Sequence, residues 1–294
     1  GVHFAASTIR RTFAFGEATR LSFAGIHQYL GERSDARKID LNGAGGEASL
    51  SSGLGYGALL WRFGVNGGQL RLPDGGSMTT YSAATAWWIN AWQLGAQWGT
   101  GPAYTSLLTT TAVQPQTGAR DALTEQDATA MLGGPIKALD VAIMGQQSLL
   151  SDGNRRTTMQ GYLRFPLMSG ISAVYTASRV EFRQRSLRYW DPFNYESHAL
   201  GLELATGDRR GFSMAVRALP GKAWSVEPPP PALRVQRNTR LPDRIHRSAV
   251  QINTGGEVTW HDPFWEGTVG VTYGQGRVTD YRRLGVTLGV RILQ

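Results

Sequence analysis

The sequence predicts an all-β chain, a transmembrane antiparallel β-barrel of 14 to 16 strands with sixteen expected, and three observations carry that reading. Apolar and polar residues alternate with period two along stretches of about ten residues, the length a tilted strand needs to cross a bilayer. The connectors between those stretches are alternately short and long. No run of about 18 apolar residues exists to make a transmembrane helix; the stretch SAATAWWIN is short and interrupted by polar residues.

Composition agrees with a barrel. Only 18% of the 294 residues are charged, whereas 37 are glycine and nine are tryptophan, an odd balance for a soluble enzyme. A mean hydropathy of -0.26 suits strands that turn only one face to lipid. The absence of cysteine excludes disulfide scaffolds, thiolate metal sites and cysteine nucleophiles. Net charge is +8, and three lysines (Lys38, Lys137, Lys222) stand against 27 arginines. Such a bias suits delocalised cations meeting carboxylate or phosphate in fork geometry, and a GC-rich genome produces it too.

Segments 2–14, 19–30, 38–50, 54–65, 77–89 and 92–106 alternate in this way, followed more faintly by 122–132 and then by 137–149, 157–166 and 171–187. Glycines recur inside them too often for helices, costing each about 1 kcal/mol. In 197–205, Leu200, Leu202 and Leu204 face away from Gly201 and Glu203; in 211–219, Phe212, Met214 and Val216 face away from Ser213 and Arg217. Segment 248–260 sets Val250, Ile252, Val258 and Trp260 against Gln251, Asn253, Glu257 and Thr259, and 265–276 sets Trp265, Val269, Val271 and Tyr273 against Glu266, Thr268, Gly270 and Thr272. The last, 283–294, alternates Leu284, Val286, Leu288, Val290 and Ile292 with Gly285, Thr287, Gly289 and Arg291.

Short connectors read as FGEAT (15–19), SSG (51–53), NA (90–91), GGP (133–135), MSG (168–170), GDRR (207–210) and HDPF (261–264). Long ones are 31–37, 66–77, roughly 107–121, SDGNRR, RYWDPFNYE and Pro220 to Arg247. Trp87, Trp88, Trp92, Trp260, Phe264 and Trp265 flank short turns, where an interfacial girdle is expected, and Tyr189, Trp190 and Tyr281 belong to the long-loop end. An even-numbered barrel begins and ends at the same side. Here the short turn after 2–14 starts the chain at the long-loop end, while the last strand finishes at the short-turn end. Either a connector is misassigned or a strand precedes Gly1, so residues 1–294 read as one barrel domain, the C-terminal part of a longer precursor.

In a closed barrel the apolar face meets lipid and the other meets the lumen. Alternation then places Arg164, Arg179, Arg183, Arg185, Arg217 and Arg291 inside with Asp140, Glu181, Glu203, Glu257 and Glu266, an arginine-rich passage that favours anions. The competing reading is that these charges are struts in a filled lumen. Gly95, Gly99, Gly201, Gly270, Gly274, Gly285 and Gly289 on the same face leave room for an open one. In the Pro-rich stretch 222–247, Arg234, Arg237, Arg240, Arg244 and Arg247 suit either a solvated loop that binds lipopolysaccharide phosphates or a fold-in gate. A nucleic-acid partner is not expected, for no soluble basic module with stacking aromatics is present.

Catalytic signals are poor, and neither enzyme activity nor a cofactor or metal is expected. None of His3, His27, His198, His246 and His261 has a metal-ligand spacing, and HDP (261–263) reads as a turn. GFSMA (211–215) lies on an amphipathic strand rather than at a strand-to-helix elbow, and the sequence shows no second group for acid/base work with Asp208 or Glu227. A barrel hydrolase acting on lipid would need a serine, a histidine and an acid converging at the rim.

LRYWDPFNYESHALGLEL (187–204), an aromatic–x–x–Pro loop leading into an alternating strand, resembles the Tyr–x–x–Pro loop of the C-terminal barrels of bacterial exopolysaccharide exporters, the outer-membrane proteins for cellulose, poly-N-acetylglucosamine and Pel. Terminal Gln294 and Asp191 after the aromatics depart from that pattern. The resemblance implies a 16-stranded outer-membrane barrel after a periplasmic tetratricopeptide scaffold. It implies passage of an exopolysaccharide supplied by an inner-membrane synthase, with outer-membrane lipid and lipopolysaccharide around the barrel. On that reading Arg164, Arg179, Arg183, Arg217, Arg291, Glu203 and Glu257 contact the polymer, Tyr162 and Tyr175 stack on sugar rings, and Tyr189, Trp190, Pro192, Arg234, Arg237 and Arg240 form a loop or gate. A general anion-preferring diffusion porin is the alternative.

Overall fold

The computed structural model describes residues 2–16, 18–34, 37–54, 59–71, 77–103, 123–184, 192–207, 211–227, 244–263, 265–276 and 281–292. Among them fifteen strands form one sheet. They are β1 (Val2–Phe15), β2 (Thr19–Ser34), β3 (Arg37–Leu54), β4 (Leu59–Arg71), β5 (Ser77–Ile89), β6 (Trp92–Pro102), β7 (Thr124–Ile136), β8 (Leu139–Leu150), β9 (Arg155–Met168), β10 (Ile171–Phe182), β11 (Asn194–Gly207), β12 (Phe212–Glu227), β13 (Ile245–His261), β14 (Trp265–Gly276) and β15 (Tyr281–Ile292). Each pairs antiparallel with the next, and β15 returns to β1 in parallel, with Arg283 opposite Val2, closing the barrel. An odd number of up-and-down strands makes a parallel seam unavoidable. The count lies within the expected range but is fifteen, not sixteen.

The two faces differ as two solvents require. Leu200 and Val250 are each 63% exposed and Val269 is 52%, on the face opposite Gly201, Gln251 and Gly270. Large apolar side chains are the exposed ones, the reverse of a water-soluble domain and the arrangement that hydrocarbon demands of a closed sheet. Among the described residues no helix is long and apolar enough to cross a membrane. At the short-turn ends of β12, β13 and β14, Phe212 meets Trp260 edge-on at 5.1 Å, and Trp260 stacks with Trp265 at 6.4 Å. These exposed rings form part of the expected girdle. Trp88 departs from it: in register with Leu60 and Gln93, it turns into the lumen between outward Trp87 and Ile89.

Several boundaries shift. GGP (133–135) lies inside β7, and the turn falls at Lys137–Ala138, where Lys137 has φ of 56°. SSG (51–53) lies inside β3, and β4 runs on to Arg71. β6 stops at Pro102 and β10 at Phe182. The largest change is in β12, which continues through Pro220 to Glu227 and pairs there with Ile245–Ile252 of β13. Pro220 had argued for a loop because it has no N–H to give a ladder. The structure absorbs it by leaving Leu200 and Gly201 out of the β11–β12 register while the strands resume at Ala199 opposite Gly221.

Candidate functional site

The inner wall is a ladder of polar and small residues whose charges meet across strands. Arg164 on β9 reaches over β10 so that Nε lies 3.1 Å from Glu203 Oε1, and its Nη1 lies 3.6 Å from Asp140 Oδ2 on β8. Arg62 donates from Nη2 to Glu47 Oε1 at 3.0 Å and to Ser49 Oγ at 3.3 Å. Nearer the long loops, Arg156 Nη2 donates to Glu125 Oε2 at 2.8 Å and to Ser148 Oγ at 3.0 Å, while Ser148 donates to Asp127. Arg247 Nε stands 3.2 Å from Glu227 Oε2. Such pairs oppose positive to negative charge along the inner wall, with arginines and carboxylates on one face as the alternation placed Arg164, Asp140 and Glu203.

Four of the expected residues come together. Glu203 and Arg217 are register partners on β11 and β12, and with Glu257 and Gly270 they line a cavity of about 250 Å3. The Arg164–Glu203 pair continues the same wall. Tyr162 is on this face too, in register with Thr176 and packed against the buried Val174, Ala199 and Leu219. A second lumen cavity of about 450 Å3 lies beside Arg62, Glu47, Trp88 and Gln93. The inner wall is thus filled by packed side chains around Val174, Ala199 and Leu219, and around Ala103, Leu123 and Leu150 at the long-loop end.

Register overturns part of the expectation. Arg179 pairs with Met159 and Glu196, Tyr175 with Leu163 and Leu200, and Glu181 with Thr157, all on the outward face. Arg179 is bound there by Glu181 and has Glu196 3.7 Å away. Tyr175 Oη lies 2.6 Å from His198 Nδ1 and its ring stacks on the imidazole. The cause is that β10 carries small and apolar residues on both faces: Val174, Val180 and Phe182 pack inside beside Ser172, Thr176 and Ser178, and its charged residues fall outside. Arg183 is not on a strand, because β10 has ended; its backbone N donates to Arg155 O at 2.9 Å. The apolar groove of about 770 Å3 over Gly145, Gly161 and Ala177 lies on this outward face, not in the passage.

Arg291 stands opposite Glu266 in the β14–β15 ladder, and its side chain lies outside the described residues. So do Arg185, Tyr189, Trp190, Arg234, Arg237 and Arg240 and the side chain of Tyr281. Pro192 is described and fully buried. One arrangement was not foreseen: at the short-turn rim, Ser213 Oγ lies 3.1 Å from His261 Nε2, and His261 Nδ1 lies 3.2 Å from Glu266 Oε2. His261 is the last residue of β13 rather than part of the turn. HDP masked it, since a histidine in a turn motif gives no sign of the strand across from it.

No protein-family model and no curated protein matches the chain. Among solved structures it resembles a protein described as "Bacterial polysaccharide outer membrane secretin", with a TM-score of 0.61 at 8% identity over 99% of this chain and 96% of that one. It also overlaps BamA from Haemophilus ducreyi lacking POTRA domains 1–3, at a TM-score of 0.45, 9% identity and 99% and 70% coverage. At such identities the first likeness shows a shared fold, that of an outer-membrane β-barrel.

Proposed function

We propose that this barrel is an outer-membrane conduit for a polysaccharide chain. The observation that carries the reading is the wall formed by Arg164, Glu203, Arg217 and Glu257, a row of opposed charges facing a cavity inside a closed barrel. Hydroxyl groups accept from guanidinium and donate to carboxylate, so alternating partners along a wall suit a polyhydroxylated chain better than a wall of one sign. The end-to-end fold likeness to a polysaccharide secretin supports it. In this reading the barrel supplies the path. Synthesis at the inner membrane supplies the push, a periplasmic scaffold delivers the chain, and lipopolysaccharide surrounds the exit.

Binding tests the reading. Neutral, cationic and anionic oligosaccharides titrated into the purified barrel are expected to show one class that binds. Replacing both Glu203 and Arg217 by alanine should weaken that class roughly tenfold, about 1.4 kcal/mol. Equal binding of every class by the wild type and the double variant would contradict it.

A further inference from the structure

We propose that Ser213, His261 and Glu266 form a hydrolytic site for carboxylic esters at the short-turn mouth of the lumen. The three are brought together by register. Ser213 on β12 is opposite Thr259, and Glu266 on β14 is opposite His261, so the imidazole stands between the hydroxyl and the carboxylate on the inner face. Distances of 3.1 Å from Ser213 Oγ to Nε2 and 3.2 Å from Nδ1 to Glu266 Oε2 give the order nucleophile, base, orienting acid. A carboxylate at Nδ1 holds the proton there and leaves Nε2 free to accept from the serine.

The backbone holds the ring in place. His261 N donates to Gly211 O at 2.7 Å, tying it to the start of β12, and Asp262 N donates to Trp265 O at 2.9 Å, closing the turn behind it. On the outer side of the same strand ends, Phe212, Trp260 and Trp265 pack ring on ring. The His261 and Glu266 side chains retain 28% and 29% of their exposure, so the group is open to the lumen rather than sealed as a strut.

The chemistry balances with water alone. Ser213 Oγ bonds to the ester carbonyl carbon as its proton passes to His261 Nε2. The bond from that carbon to the alcohol oxygen breaks, and the alcohol leaves with the proton. Water then gives a proton to Nε2 and its oxygen to the acyl carbon, the Ser213 Oγ–acyl bond breaks, and serine recovers the proton as the carboxylic acid departs. Glu266 is a positioning residue. The ester is carried either by a sugar hydroxyl or by a glycerolipid; an inner-face site favours the sugar, and that preference alone rests on the conduit reading.

The test uses the purified barrel, with heat-modifiable gel mobility confirming that each variant is folded. A fluorophosphonate probe should label the wild type and not Ser213→Ala. Hydrolysis of p-nitrophenyl acetate should fall by about 10^3-fold or more in Ser213→Ala and in His261→Ala. Glu266→Gln should lower kcat with KM unchanged, and Glu266→Asp should restore part of it. Acetate release from an O-acetylated oligosaccharide, with no fatty acid released from phospholipid vesicles, supports the sugar source; the reverse result overturns it. Absence of labelling, or wild-type hydrolysis equal to that of Ser213→Ala, overturns the site itself. Bilayer current in the same preparation separates the two readings: current without hydrolysis refutes only the esterase, and hydrolysis without current refutes only the conduit.

Discussion

Arg164 is held between Asp140 and Glu203, whereas Arg217 is exposed to the lumen beside Glu257 and Gly255. The two arginines therefore do different work: the first stiffens the wall across three strands, and the second presents its charge to the lumen. Arg217→Glu is expected to move the reversal potential in a salt gradient toward cation preference while leaving the barrel's heat-modifiability unchanged. Arg164→Ala strands two carboxylates on the inner wall and should lower the unfolding temperature as well as alter selectivity. Which arginines face inward was legible for Arg164 and Arg217, since both alternate with apolar neighbours. Arg179 and Tyr175 were not legible, because in β10 small and apolar residues occupy both faces and only the pairing with Met159, Leu163 and Leu200 decides. The Ser213–His261–Glu266 contact was invisible for a related reason: 48 residues separate Ser213 from His261, and no motif spans a register.

The strands themselves were the most readable level, because alternation with period two recurs in 197–205, 211–219, 248–260 and 265–276 whatever the register. Ends were less readable. Pro220 and the Gly133–Pro135 stretch look like breaks, yet both sit within strands whose neighbours supply enough pairing to carry a residue lacking an N–H. The outward and inward faces of one strand should respond to charge in opposite ways. Val269→Arg on β14 should cost about 2–4 kcal/mol of folding stability in a lipid bilayer if that site lies near the midplane, whereas Thr272→Arg on the inner face should cost far less. Denaturant titration of refolded barrels in liposomes reads both. Equal losses would contradict the assigned faces. Trp260→Ala removes the ring shared by Phe212 and Trp265 and should destabilise the barrel by about 1–3 kcal/mol in the same assay.

At the scale of the molecule, fifteen strands make a barrel with a parallel seam between β1 and β15. The sequence signalled that oddness through its turns: a short turn follows β1, and the last hairpin end leaves β15 finishing at the same side as that turn. Those turns were nevertheless expected to fit an even barrel of sixteen, and the strand number was hard to read because connectors such as 51–53 and 133–135 look alike whether they turn or continue. The fold, the polar inner wall and the apolar exterior together are those of an outer-membrane barrel, and the opposed charges on that wall are the ground on which a polymer conduit is proposed over a general anion porin. The most direct measurement is ionic current through a planar bilayer containing the purified barrel, in a salt gradient, before and after adding charged and neutral oligosaccharides. The account predicts a steady current of weak ion selectivity that one oligosaccharide class blocks. Strong anion selectivity indifferent to every oligosaccharide, or no current at all, would contradict it.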